Sequence, residues 1–147
     1  MKKKVVAALS LVLALSFGFS PAYVYADEGP EQLTPGFWKQ PQHVSSWVGY
    51  SPNDTVVSVF DKASGSLAEQ TLLEALNFNG GKGSKGANKI LMRAAVAALL
   101  NAEHPNIDYP LTSNEIINSI NGVINPGDRE TVIDLADMLD AYNNGES

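Results

Sequence analysis

Two histidines and no cysteine make up the short list of side chains suited to nucleophilic or metal chemistry. A zinc centre would need His43 and His104 to converge with carboxylates, and neither a His-Glu-x-x-His pair nor a Cys/His cluster is present. Ser45 and Ser46 lie close to His43, but a serine nucleophile needs a base that a third group orients. No serine sits in a Gly-x-Ser-x-Gly elbow either. Paired carboxylates for glycoside hydrolysis stay open, so a hydrolase ranks third among the functional readings. His43 is expected to pack within its aromatic neighbourhood.

Oxygen donors suit calcium better than zinc. Asp54, Asp61 and the Asn125–Asp128 turn are the candidates, although none follows the EF-hand order of acids at alternate positions. Most of these acids also suit helix caps and solvated faces. No cofactor is expected, and calcium is the one ion the donors would take. A different chemistry is suggested by the Gly-rich stretch from Asn79 to Lys89, read as a loop before a helix. Backbone amides there, helped by Lys82 and Lys85, would suit an anion. The stretch is not a Walker loop, because Ala87 follows Gly86 and no strand precedes it. Lys82, Lys85, Lys89 and Arg93 nevertheless form a basic contact surface on an acidic chain, suited to self-association by charge steering.

The elements that must position these groups follow a secretory signal. Lys2, Lys3 and Lys4 precede an apolar run from Val5 to Phe19, and Val24-Tyr25-Ala26 offers a cleavage site before Asp27. The run is short for a bilayer span, which needs ~20 residues. Residues 1–26 therefore read as a cleavable signal peptide, with no membrane insertion of the product. Their removal from the 147-residue chain leaves 121 residues and takes the net charge from −6 to −9. That size supports one domain with its own core. So negative a domain is a poor partner for nucleic acid, which needs clustered positive charge. Without cysteine, stability must come from packing or a bound ion.

Asp27 to Leu33 reads as a mobile polar lead-in, and 34–147 as a single helical domain. Thr34 to Tyr50 carries both tryptophans, Trp38 and Trp47, among turn formers, and predicts an irregular aromatic segment. Beyond it, helix signals dominate. Ser51-Pro52-Asn53-Asp54 reads as a helix start, and Ser66-Leu67-Ala68-Glu69 and Thr112-Ser113-Asn114-Glu115 as capping boxes. The run from Ile90 to Leu100 is apolar nearly all round and predicts a central buried helix. His104-Pro105 ends it. Asp128 caps a last helix carrying Val132, Ala136, Leu139 and Tyr142, with Gly145 just beyond its end. No stretch alternates long enough for a sheet. The expectation is an all-α bundle of about five helices.

Leu33-Thr34-Pro35-Gly36-Phe37-Trp38-Lys39-Gln40-Pro41-Gln42-His43 resembles a family of exported bacterial and archaeal proteins. Their mark is Thr-Pro-Gly-Phe/Tyr-Trp-Lys followed by His and Trp, here His43 and Trp47. The resemblance continues through Val48–Pro52, Thr71–Asn77, Ala95–Ala102 and Asn106–Tyr109, nearly the whole domain. It implies a secreted or cell-surface protein and carries no established activity. Many members have a cysteine just before Thr34; Leu33 stands there in this chain, which weakens a disulfide or redox role.

Read from the residues alone, Pro35 and Gly36 make a turn that presents Phe37 and Trp38. Trp38 is expected to plug the core, with Lys39 over an aromatic face or in solvent. The alternative is a platform of Trp38, Trp47 and Tyr50 for a sugar or a partner chain. The leading functional expectation is a non-enzymatic extracellular structural or interaction protein, a self-assembling subunit of a cell-surface matrix or filament. Its partners would be its own copies or other cell-surface components. The alternative is a secreted ligand-binding module for carbohydrate or calcium.

Overall fold

The computed structural model describes residues 33–124 and 127–146. The signal peptide and most of the lead-in, together with Asn125 and Pro126 of the expected turn, lie outside the described residues. The domain is all-α, as its patterning implies. Among the described residues there are eight helices, of which five are single turns: α1 (Pro35–Trp38), α2 (Pro41–Val44), α3 (Val56–Val59), α4 (Gly65–Ala68) and α5 (Leu72–Ala75). The other three are long: α6 (Gly83–Glu103), α7 (Ser113–Val123) and α8 (Arg129–Asn143). The expected count of about five therefore merges short turns that the chain keeps separate.

α6 is the axis. Leu91, Met92 and every residue from Ala94 to Asn101 are buried, so neighbours cover it on all sides. Each fully buried leucine contributes about 1.5–3 kcal/mol relative to exposure. Runs of alanine in α6 (Ala94, Ala95, Ala97, Ala98) remove side-chain bulk and let adjacent helices approach. α8 is the principal neighbour of α6, with α7, α1 and α5 also packed on it. Arg129 at the start of α8 bonds the start of α6, and Asn143 at the end of α8 bonds Asn101 near the end of α6. The two helices therefore run parallel. α7 returns between them in sequence, its first residue, Ser113, bonded to Glu103 at the end of α6.

Local capping decides where the elements begin. Thr112 and Glu115 form the reciprocal box expected at α7, and the Asp128 side chain accepts from the Thr131 amide at the start of α8. Two expected starts are corrected. Ser51 and Asp54 bond each other in both directions, closing a turn, and the next helix is capped by Thr55 instead. Ser66 lies inside α4 rather than capping it; the box in this region is Thr71 with Glu74 at α5. A third correction concerns the glycine-rich stretch, since α6 begins at Gly83 and takes in most of the expected loop.

Leu33, expected in the mobile lead-in, is a core residue only 6% exposed. Among the described residues no helix is long and apolar enough to cross a membrane.

Candidate functional site

The aromatic motif folds into structure rather than surface. Thr34 caps α1 by accepting from the Phe37 amide, and Pro35 occupies the first turn, where its missing N–H costs nothing. This places Trp38 in the core at 1% exposure. Its indole Nε1 donates to Asn101 Oδ1 at 2.9 Å. Asn101 Nδ2 in turn donates to the Leu33 carbonyl at 2.9 Å and to Asn143 Oδ1 at 3.0 Å. Asn143 closes the network, accepting from the Tyr109 hydroxyl at 2.8 Å and donating to the Ala94 carbonyl at 3.1 Å. Burial pushes the Tyr109 hydroxyl far above the ordinary phenol range, so it stays a donor. Six buried or part-buried polar groups thus satisfy one another, and together they lock the N-terminal segment to α6 and the C-terminal end of α8.

The rest of the motif surrounds this clasp. Trp47 Nε1 donates to the Trp38 carbonyl at 3.2 Å. His43 stacks on Phe37 with ring centroids 3.7 Å apart, while His104 lies 6.1 Å from Trp38. Phe37 and Trp38 meet edge to face at 5.2 Å. Lys39 and Gly36 face solvent, and Trp47 and Tyr50 are half-buried. With Trp38 enclosed, the three aromatics do not form one open platform. Ser46 spends its hydroxyl on the His43 carbonyl rather than on the imidazole.

Asp54 and Asp128, two of the calcium candidates, bond the chain locally: Asp54 to the Ser51 amide, and Asp128 through both oxygens to Thr131. Among the described residues no three His, Asp or Glu side chains group to hold a metal ion.

An open, basic feature lies at the other end of α6. A concavity of about 650 Å³ is lined by Lys82, Lys85 and Lys89, with Leu67, Phe78 and Ile124 as apolar wall and Ser66, Gln70 and Asn88 as polar wall. Among the described residues no carboxylate lines it. Lys89 Nζ stands 5.8 Å from the centroid of the Phe78 ring. Of the four basic residues expected to act together, these three converge. Arg93 does not: its guanidinium donates to the Phe78 carbonyl at 3.1 Å and faces the Asp140 charge on α8.

Arg129, which the sequence does not single out, and Gly86, read there only as part of a loop, shape this concavity. Arg129 donates to the Gly81 and Gly83 carbonyls at 3.0 and 2.8 Å, pinning the loop to the start of α8. Gly86 lets the loop lie against the first turn of α6, because a Cβ there would fall 2.0 Å from the Gly81 carbonyl carbon. Glycine in a first turn signals such close approach. The fold and site thus define a small all-α domain with a buried amide clasp at one end and a lysine-lined concavity at the other. Set against known proteins, the chain matches no family model, no curated protein and no solved structure.

Proposed function

We propose that this chain is a non-enzymatic extracellular interaction protein, a subunit that assembles with its own copies into a cell-surface matrix or filament. The observation that carries the reading is the convergence of Lys82, Lys85 and Lys89 on one concavity that no carboxylate among the described residues lines. On a domain of net charge −9 after signal removal, such a spot is the natural target for the acidic surface of another copy. The motif supports the same reading indirectly, since its tryptophan, its threonine and its proline are all used to build the fold. Export rests on the signal sequence and on the likeness of Leu33–His43 to exported proteins.

Sedimentation velocity on residues 27–147 tests this reading across protein concentration and salt. Assembly predicts species heavier than the monomer that grow with concentration and recede with salt, because exposed charge pairs are screened. A single monomeric species under all conditions would contradict it.

A second reading is favoured by the same concavity. Its mixed lining of ammonium groups, amides and an aromatic ring suits an anionic carbohydrate, which makes a secreted carbohydrate-binding module the alternative. Titration of the monomer with acidic cell-wall glycans, followed by calorimetry, separates the two.

A further inference from the structure

The assembly reading leaves open which part of a second copy meets the lysines, and the placement of the chain's own acidic segment narrows the choice. Between the expected cleavage point and Leu33 lie six residues, Asp27-Glu28-Gly29-Pro30-Glu31-Gln32, with three carboxylates against one terminal amine. Leu33 is anchored: it is buried, and its carbonyl accepts from Asn101 near the C-terminal end of α6. The lysine concavity lies at the opposite end of that helix, on Lys82, Lys85 and Lys89. From residue 86 to residue 101 the axial separation is ~22 Å at the usual helical rise.

Six residues fully extended span at most ~20–22 Å. Glu31, two positions from the anchor, is held within ~7 Å of it before its own side chain is counted. The three acids therefore cannot all lie over the lysines of their own domain. They can do so in a neighbour. We infer that the Asp27–Gln32 segment of one copy docks in the Lys82/Lys85/Lys89 concavity of the next, resting on the self-assembly reading above and on cleavage after Ala26.

The geometry of that contact has a consequence for form. Donor segment and acceptor concavity sit at opposite ends of α6, so the contact joins unlike surfaces. Head-to-tail repetition of such a contact propagates into rings or open filaments, whereas reciprocal exchange between two antiparallel copies closes as a two-fold dimer. The competing acidic surface is the outer face of α8, where Glu130, Asp134 and Asp137 are exposed. A helix ~10–12 Å across is a bulkier occupant for a concavity of about 650 Å³ than a single extended segment.

Two variants of residues 27–147 separate these cases by sedimentation velocity, with circular dichroism confirming the fold of each. D27N/E28Q/E31Q removes the donor charge, and K82E/K85E/K89E removes the acceptor. The expected result is that the wild type forms high-mass species and each variant alone is monomeric. An equimolar mixture of the two variants is expected to form a heterodimer of twice the monomer mass and nothing larger, because the intact segment of one meets the intact concavity of the other. Appearance of this heterodimer, absent from either variant alone, is the positive signature. If the wild type assembles and D27N/E28Q/E31Q assembles equally well, the segment is not the occupant, while self-assembly stands. If the wild type is monomeric, both readings fall.

Discussion

The indole Nε1 of Trp38 donates to the side-chain oxygen of Asn101 at 2.9 Å, joining residues 63 positions apart in the chain. This bond ties the motif segment to the central helix at a point where both groups are buried. Replacing Asn101 with alanine strands the indole N–H and the Leu33 carbonyl together. Each unpaired buried group costs about 1–3 kcal/mol, so N101A is expected to lose about 3 kcal/mol in urea denaturation. A cycle with W38F should give a coupling energy of about 1 kcal/mol or more, as expected for directly bonded neighbours. Additive effects would show that the bond contributes nothing of its own.

Capping predicts a contrast between neighbouring hydroxyls. Thr71 accepts from the Glu74 amide at 3.0 Å, whereas Ser66 is an exposed residue within α4. T71A should cost about 1 kcal/mol. S66A should change stability by less than about 0.5 kcal/mol, the usual range for a plain surface position. Thermal melts of the two variants check the order, and equal losses would refute the assignment.

The packing of the glycine-rich loop on α6 predicts an unusual result for a helical position. Alanine normally favours a helix over glycine, yet at Gly86 the added methyl would strike the Gly81 backbone. G86A is expected to destabilise by about 1–3 kcal/mol, in the range for overpacking. A gain in stability would mean that the loop does not rest there.

Titration has signs that oppose each other. Backbone and hydroxyl bonds from Thr112 hold the Glu115 carboxyl below its ordinary range. Its contribution is present above the unfolded carboxylate pKa of about 4.3 and is lost as pH falls through the lower folded value. Desolvation by burial raises Asp140, against the opposing pull of Arg93. Its neutral form is the one favoured by folding, so its contribution is greatest in acid and is lost as pH rises through the raised value. E115Q should therefore lower Tm at pH 7 and converge with the wild type in strong acid. D140N should raise Tm at pH 7, with the advantage fading in acid. Melts from pH 2 to 7 read both.

Much of this architecture is legible in the residues, and the failures have physical causes. The unbroken apolar run through Leu100 marks α6, and the Thr112–Glu115 spacing marks the start of α7, because both signals are local. Boundaries between residues 51 and 78 misread because Ser51, Thr55, Ser66 and Thr71 are all plausible caps, and tertiary packing chooses among them. The start of α6 at Gly83 is hidden by poor helix formers. It is held by Arg129, 46 positions away. Asn101 shows itself in sequence only as one amide ending an apolar run. Its partner Asn143 lies 42 positions on, so their pairing depends on the parallel packing of α6 and α8. The lysine cluster was legible as a composition bias, but the departure of Arg93 from it depends on Phe78 and Asp140.

The central claim is that copies associate through the concavity of Lys82, Lys85 and Lys89. Light scattering behind size exclusion, comparing residues 27–147 with the K82E/K85E/K89E variant at low salt, tests it most directly. The account predicts large mass for the wild type and monomer mass for the variant. A monomeric wild type, or a variant that assembles as the wild type does, would contradict it.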